Sequence, residues 1–126
     1  MTLLHDGFCK ACLRGNLNIG IYLHERFHII PKKDELRDLY FLACYFRDLP
    51  RIKWLYYTFG KCKNMFSLLY HARDSESIVC FLFEKCGLDQ NDIKKCSNPE
   101  IMREPLTQQE KRTLIQIYNK CFPLVA

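Results

Sequence analysis

Apolar residues recur along most of the chain at intervals of three and four positions, the spacing of one face of an α-helix. The clearest stripe has apolar side chains at positions i, i+3, i+4 and i+7: Leu36, Leu39, Tyr40 and Ala43. After a short polar turn comes a second stripe that would face the first: Ile52, Leu55 and Tyr56. No alternating apolar and polar run of strand length occurs, so the sequence predicts an all-α chain.

The same pattern occurs more than once. The segment ACLRGNL from Ala11 and the segment ACYFRDL from Ala43 align without a gap at an offset of 32 positions (43 − 11). Both continue to an aromatic residue followed by a Leu. A third copy, HARDSESIVCFLFEKCGLD, repeats the apolar helix with a shorter turn. Three copies of a helix pair predict a short stack of helix-turn-helix repeats.

The copies set the limits of three repeat units and a cap. The units are expected at about residues 4–31, 34–60 and 64–90, and a C-terminal capping helix segment at about 91–126, all within one domain, 1–126. Asp34 and Asn64 are the predicted N-caps of the first helix in the second and third units. Gly87 is predicted to stop the third unit in the left-handed region. Thr107 and Glu110 form a predicted capping box for the final helix.

The periodicity also predicts which side chains are buried. In the third unit the inward positions are expected to be Phe66, Leu69, Tyr70, Ile78, Phe81, Leu82 and Cys86. In the final helix they are expected to be Leu114, Ile117, Tyr118 and Cys121. Leu23, Leu55 and Leu82 occupy the same position in the three units, so we expect all three to be mostly buried.

Composition and charge limit the partners. The 126 residues carry a formal net charge of +5, but Lys and Arg occur in scattered pairs, so we expect no nucleic-acid partner. No run approaches the ~20 apolar residues that span a bilayer, and the N-terminus lacks a signal-peptide pattern. We therefore expect no membrane association and a cytoplasmic location. The eight cysteines are then expected to be reduced and to pack as small hydrophobes.

Four metal-ligand side chains near the N-terminus offer an alternative. The sequence comes close to the motif of a Cys₂His₂ zinc finger, with the ligands Cys9, Cys12, His24 and His28. Such a finger would make the chain a zinc-binding, nucleic-acid-binding protein. Eleven residues separate Cys12 from His24 where the finger has twelve, and one residue turns a helix by about 100°. Asn16 stands where the finger needs a core aromatic. The finger is therefore the second hypothesis and the repeat stack the first.

The segment HERFH, from His24 to His28, also matches the HExxH signature of zinc proteases, whose two His share one helical face. The repeat frame ends the second helix near Glu25 and places His28 in the exit loop, so no such face is predicted. No phosphate loop, GxGxxG motif or nucleophile elbow occurs either. We therefore expect no enzyme activity, no catalytic residue, no metal ligand and no cofactor.

The repeated segments resemble ankyrin repeats. ACLRGNLNIGIYL and LACYFRDLPRIKWLY follow the ankyrin helix-turn-helix pattern, and FLFEKCGLDQND resembles a closing helix and the start of a finger loop. The TPLH opening is missing. With its degenerate, Cys-rich and aromatic-rich repeats and the segment LTQQEKRTLIQIYNKC, the chain is similar to the ankyrin-like multigene-family proteins of African swine fever virus. This resemblance implies a viral protein of the host-cell cytoplasm that binds host proteins and affects tropism, replication in macrophages or innate defence.

Ankyrin-like modules bind through the turns between paired helices and through the linking loops, and the resemblance transfers those positions to this chain. The turn residues expected to contact a partner are Arg14, Tyr45, Phe46 and Arg73. The loop residues expected to steer it are Lys32, Lys33, Lys61 and Lys63. Tyr45 and Phe46 are the expected anchors, because aromatic side chains dominate binding hot spots. An apolar face at either end of a short stack also allows a homo-oligomer.

Overall fold

The computed structural model describes residues 3–13 and 16–123, and within these ranges it contains eight α-helices and no β-strand. The predicted all-α class is therefore confirmed. The helices are α1 Leu3–Leu13, α2 Leu17–Phe27, α3 Lys33–Tyr45, α4 Leu49–Phe59, α5 Leu68–His71, α6 Glu76–Glu84, α7 Gln90–Cys96 and α8 Gln108–Cys121, with a 3₁₀ turn, Met65–Ser67, before α5. None of these helices is long and apolar enough to cross a membrane.

The helix boundaries recur at the interval of the sequence repeat. Helices α2 and α4 have equal lengths and begin 32 positions apart (49 − 17). Helices α1 and α3 also end 32 positions apart, at Leu13 and Tyr45. The third pair differs, because its first helix is reduced to the 3₁₀ turn and the four residues of α5. The first two helix pairs thus follow the repeat closely, and the third departs from it in one helix.

The contacts between residues divide the chain into two compact units, Met1–Lys63 and Asn64–Ala126. The boundary falls in the linker between the second and third predicted repeats. Each unit buries its own set of apolar side chains and is described by itself below. The single domain and the limits of the repeats and cap stay predictions.

In the first unit, α1 packs against α2 and α3, and α3 packs against α4. The predicted stripe of α3 is buried as expected: Leu36, Leu39, Tyr40 and Ala43. Ile52 and Leu55 of α4 are fully buried, whereas Tyr56 is half-buried. Phe8 of α1 is also fully buried, with its ring centroid 6.2 Å from that of Phe59. This shared core stabilises four helices that would be marginal in isolation.

Helices α1 and α2 come closest at Gly20, which is buried. A Cβ atom built at this position would lie 2.9 Å from the Cys12 sulfur and 3.8 Å from the Cys12 backbone nitrogen. The sulfur distance is too short, so a larger residue at position 20 requires the Cys12 side chain to move, whereas the backbone distance is an ordinary contact. Helix α2 begins just before this contact, where the Asn16 side chain accepts the Asn18 amide at 2.8 Å.

Arg51 ties the turn between α3 and α4 to the end of α1. The Asp48 carboxylate caps α4 by accepting the Arg51 amide at 3.2 Å, and it accepts the Arg51 Nε at 3.1 Å. The Arg51 Nη1 donates to the carbonyl of Ala11 at 3.3 Å and to that of Cys12. Those carbonyls belong to the last turn of α1, where no intrahelical donor remains. Arg51 therefore caps α1 from the neighbouring helix pair.

In the second unit, α8 packs against α6 and α7, and α7 packs against α5 and the 3₁₀ turn. The core consists of Leu68, Leu69, Ile78, Leu82, Ile93 and Leu114, all almost fully buried. Gly87 has a φ of 75°, as predicted for the residue that ends the helix, and the next amide, of Leu88, returns to the Leu82 carbonyl at 3.2 Å. Thr107 and Glu110 form the predicted capping box, with bonds of 2.9 and 3.1 Å.

The sequence pattern did not predict helix α7, Gln90–Cys96. Asp89 caps it through a carboxylate oxygen that accepts the amides of Asn91 and Asp92, and the Asp92 carboxylate accepts the Asp89 amide at 2.8 Å. This capping box uses two Asp residues rather than the usual Ser or Thr with Glu or Gln. The helix has only seven residues, too few for a clear apolar stripe.

The predicted N-cap Asp34 is wrong, and Asn64 has the predicted cap position without a side-chain cap bond. Helix α3 begins two residues earlier than an Asp34 cap requires, and its cap position is Lys32, whose amide donates to the Glu35 carboxylate at 2.8 Å. Asp34 lies in the first turn, where a negative charge stabilises the helix N-terminus. Asn64 precedes the 3₁₀ turn with a φ of 57°, and its backbone carbonyl, rather than its side chain, accepts bonds from Ser67.

Some predicted inward positions are also wrong. Phe66 and Tyr70 are half-buried, and the buried set in that stretch is Met65, Leu68, Leu69 and Ala72. A 3₁₀ turn has three residues per turn, so the buried face is rotated from the one that an α-helix would give. Tyr118 and Cys121 of α8 are half-buried, as is Leu23 of α2. The remaining predicted inward positions of the third unit and of α8 are buried.

Replacing Leu55 by Ala should lower the free energy of unfolding of the first unit by about 2–5 kcal/mol, because it leaves a cavity at a fully buried position. Chemical denaturation followed by circular dichroism measures this change. The matched control is Leu23→Ala, the same substitution at the equivalent, half-buried repeat position, which should cost clearly less. Equal costs at the two positions would contradict the difference in burial between them, and no cost at Leu55 would contradict the register assigned to the repeat.

Candidate functional site

The turn between α3 and α4 presents two predicted partner residues. Tyr45 is the last residue of α3 and is 74% exposed, and the following Phe46 is 62% exposed. Their rings meet edge to face with centroids 5.2 Å apart. Arg47 takes a φ of 55°, which reverses the chain before the Asp48 cap. The aromatic pair therefore projects from a tight turn instead of packing into the first unit.

Backbone hydrogen bonds fix this turn. The Phe46 amide donates to the Leu42 carbonyl at 2.9 Å, the Arg47 amide to Cys44 at 3.0 Å and the Asp48 amide to Ala43 at 2.9 Å. The Asp48 carboxylate is held in turn by Arg51. Side chains on a fixed backbone lose less entropy on binding than side chains on a mobile loop. We refer to Tyr45 and Phe46 as the aromatic turn.

Three of the four predicted loop lysines lie around one pocket. Lys33, Lys61 and Lys63 line a pocket of about 270 Å³ together with Leu36 and Cys62. The loop that follows α4 is held beside α3 because the Tyr40 hydroxyl donates to the Gly60 carbonyl at 2.6 Å. Lys32 is exposed at the start of α3. We refer to Lys33, Lys61 and Lys63 as the lysine pocket.

The aromatic turn and the lysine pocket lie at opposite ends of α3. Lys33 is its first residue and Tyr45 its last, and a 13-residue helix is about 20 Å long. A partner that contacts both must extend along this helix. The separation also divides the roles, since the aromatic rings offer contact area and the lysines offer positive charge.

Arg73 is held by groups of its own unit. Its Nε pairs with the Glu110 carboxylate, its Nη1 donates to the Tyr70 carbonyl at 2.7 Å, and its guanidinium lies 4.2 Å from the centroid of the Tyr70 ring. It thereby connects the turn before α6 to the start of α8. Arg73 stays a predicted partner residue, with its Nε and Nη1 engaged inside its own unit. The other predicted turn residue, Arg14, lies outside the described residues.

The structure does not gather the four residues of the finger hypothesis. Cys9 and Cys12 lie on helix α1, where the Cys9 thiol donates to a Glu35 carboxylate oxygen at 3.3 Å and Cys12 packs against Gly20. Burial, followed by the bond and the charge of Glu35, raises the pKa of the Cys9 thiol to about 12. The His24 Nδ1 lies 2.8 Å from a backbone oxygen, that of Ile29. These side chains are thus engaged separately.

The two His of the protease signature also differ in setting. The His24 ring lies 4.9 Å from the Phe59 ring, on the half-buried side of α2. His28 follows the helix as its C-cap, exposed and in the left-handed region with a φ of 56°. The predicted end of this helix was two residues short, but His28 lies outside it as the repeat frame requires. A zincin needs both imidazoles on one continuous helix.

The sequence did not predict that α2 carries an exposed apolar face. Ile19, Tyr22 and Phe27 are each about half or more exposed, and the rings of Tyr22 and Phe27 meet edge to face at 6.3 Å. Arg26 lies 5.8 Å from the centroid of the Phe27 ring. Apolar residues occur almost all round this helix in the sequence, which indicated more apolar surface than one packed face can bury.

Comparisons with protein-family models, with curated proteins and with solved structures gave no significant match for this chain.

Replacing Glu110 by Gln should destabilise the second unit by about 1 kcal/mol at neutral pH, since it weakens a capping box and the pair with Arg73. The bond from the Thr107 amide, and then Arg73, hold the pKa of Glu110 below its ordinary value. The contribution is therefore complete above that ordinary value and disappears as the pH falls through the folded-state pKa. Thermal melts of the parent and the variant across acid and neutral pH measure it.

The control for this substitution is Glu76→Gln. Glu76 also pairs with a residue of α8, Lys120 at 3.4 Å, but both side chains are largely exposed. An exposed pair of this kind contributes little, so the change in stability should stay below about 0.5 kcal/mol. A deficit of the Glu110 variant that persists unchanged into acid would contradict the assigned role of the carboxylate.

Proposed function

We propose that this chain is a non-enzymatic, ankyrin-like interaction module that binds a protein partner through the aromatic turn. The observation that carries the proposal is the exposure of Tyr45 and Phe46 on a turn whose backbone is fixed. Two adjacent aromatic rings with more than half of their surface in water have no role in the core of their own unit. Exposed aromatic side chains on a rigid support are typical binding anchors.

The recurrence of the helix boundaries at 32 positions supports the ankyrin-like part of the proposal. Helical repeat proteins bind through residues of their turns and inner helices, because the other positions are needed to stack the repeats. In this chain the turn positions 45 and 46 are exposed, while the residues before them, Ala43 and Cys44, are buried. The same short segment thus divides into stacking residues and surface residues.

The lysine pocket indicates the chemistry of the partner. Three lysine side chains line this one pocket, and their positive charge attracts an anion, so a partner with acidic side chains near its apolar contact fits best. A segment that lies along α3 would place its apolar residues on the aromatic turn and its acidic residues about 20 Å away. A nucleic-acid partner is not part of the proposal.

The setting proposed for this activity is viral. The resemblance to the ankyrin-like multigene-family proteins of African swine fever virus supports a protein that acts in the cytoplasm of an infected cell. Its targets would be host proteins that govern tropism, replication in macrophages or innate defence. A second copy of the chain is the other candidate partner, because α2 also presents exposed apolar side chains.

Replacing Tyr45 or Phe46 by Ala should reduce the affinity for a captured host protein by at least about tenfold, because each change removes an aromatic anchor. Circular dichroism should stay helical, since neither ring is buried in its unit. The measurement is affinity capture from macrophage lysate, followed by titration of the identified partner against the purified variants. The control is Tyr57→Ala, which removes an aromatic ring that is 65% exposed on α4. Equal loss in all three variants would overturn the assignment.

Replacing Lys61 and Lys63 by Glu should act on association rather than dissociation. Reversing two charges of the lysine pocket weakens the attraction of an acidic partner, so the association rate should fall, and less so at high salt. Surface plasmon resonance at low and high ionic strength separates the two rates. The control reverses two exposed lysines of α7, Lys94 and Lys95. A slower association in the control of the same size would show that only net charge matters.

A further inference from the structure

Two cysteines and a glutamate form a cluster that the sequence did not predict. Cys80 and Glu84 lie four positions apart on α6, and Cys121 is the last residue of α8. The two Sγ atoms and a carboxylate oxygen of Glu84 all lie within 4.8 Å of one another. All three belong to the second unit, whose helices α6 and α8 pack together. No other such group of three occurs among the residues that the structure describes.

We propose that Cys80, Glu84 and Cys121 bind one zinc ion that links α6 to the end of α8. Two thiolates and a carboxylate are among the ligands that Zn²⁺ takes in proteins. A tetrahedral ion with Zn–S bonds near 2.3 Å requires its ligand atoms to be about 3.7 Å apart. The present separations need to close by only about 1 Å, which side-chain rotation can supply.

The surroundings of the cluster favour a cation. The sulfur atoms of Cys80 and Cys121 and a carboxylate oxygen of Glu84 lie within 4.8 Å of one another, and both cysteines are half-buried. Three groups that would each be negative when ionised are therefore held against one another. A divalent ion converts this repulsion into attraction and stabilises the thiolate form outright.

Binding of zinc to this cluster exchanges protons for the metal ion. One Zn²⁺ replaces the protons of two thiols, two Zn–S bonds form, and two protons go to solvent, with no change of oxidation state. The Glu84 carboxylate completes three protein ligands, and water takes the fourth position. The Cys80 and Cys121 side chains are half-buried and Glu84 is exposed, so the ion can enter from solvent.

This site differs from the finger hypothesis in every ligand. The finger residues lie in the first unit, and Cys80, Glu84 and Cys121 lie in the second. The site is also independent of the proposed function, since it includes no residue of the aromatic turn or the lysine pocket. Zinc binding and partner binding can therefore succeed or fail separately.

The test titrates the full chain with ZnCl₂ under reducing conditions, in competition with a chromophoric chelator. We expect one zinc per chain, about two protons released per ion in weak buffer, and a higher melting temperature for the second unit. Cys80→Ser and Cys121→Ser should each weaken zinc binding by at least about 100-fold, and Glu84→Gln by about tenfold or more. Circular dichroism verifies that each variant is folded. Co²⁺ substitution gives thiolate charge-transfer absorption that each Cys variant should reduce.

Three control variants test whether zinc binds at Cys80, Glu84 and Cys121 rather than elsewhere in the chain. Glu76→Gln changes another exposed carboxylate of α6, Cys9→Ser removes a half-buried thiol of the first unit, and His28→Gln removes a finger ligand. All three should bind zinc like the parent. Loss of zinc in His28→Gln or Cys9→Ser, or full affinity in a folded Cys121→Ser, would overturn the proposal. So would a reduced chain that binds no zinc but forms a Cys80–Cys121 disulfide in air, because the pair would then be a redox pair.

Discussion

One charge pair, Arg51 with Asp48, completes two helices of the first unit at once. Helix α1 ends with backbone carbonyls that have no intrahelical donor, and α4 begins with amides that have no intrahelical acceptor. Arg51 donates to the carbonyls of Ala11 and Cys12, while Asp48 accepts the Arg51 amide and guanidinium. Asp48 also closes the turn that carries Tyr45 and Phe46, because its amide donates to the Ala43 carbonyl at 2.9 Å. This pair, whose side chains are 12% and 33% exposed, therefore adds a polar junction between the two helix pairs to their shared apolar core, next to the turn that carries the aromatic rings.

The sequence predicted the first unit well because its elements repeat. The spacing of apolar residues predicts a helix. The copy of that segment 32 positions further along then predicts a second helix with nearly the same boundaries. The second unit was predicted less well for a physical reason. Its first helix is a 3₁₀ turn joined to α5, and a change from 3.6 to three residues per turn moves the buried face from Phe66 and Tyr70 to their neighbours. Apolar spacing alone does not distinguish these two geometries.

The candidate surfaces were predictable to different degrees. The position of a turn can be predicted from a sequence repeat, and Tyr45 and Phe46 lie in the turn as expected. Their exposure could not be predicted in this way, because it depends on what packs beside them. The lysines were expected in linking loops, but their arrangement around one pocket depends on a tertiary contact, the bond from the Tyr40 hydroxyl that holds the loop after α4 beside α3. The group of Cys80, Glu84 and Cys121 could not be predicted from the sequence. Its ligands come from two helices whose register is set by packing, and a spacing of 41 positions (121 − 80) matches no local motif.

The contact between Gly20 and Cys12 constrains how this chain can evolve. With 2.9 Å between the Cys12 sulfur and the place of a Cβ at position 20, the two positions share one small volume. Ala at position 20 requires the Cys12 sulfur to leave its present place, and a smaller residue at position 12 removes that requirement, so the effects of substitutions at the two positions should not be additive. The order in which mutations arise at this crossing therefore matters, because a larger residue at position 20 is tolerated more easily once position 12 is smaller.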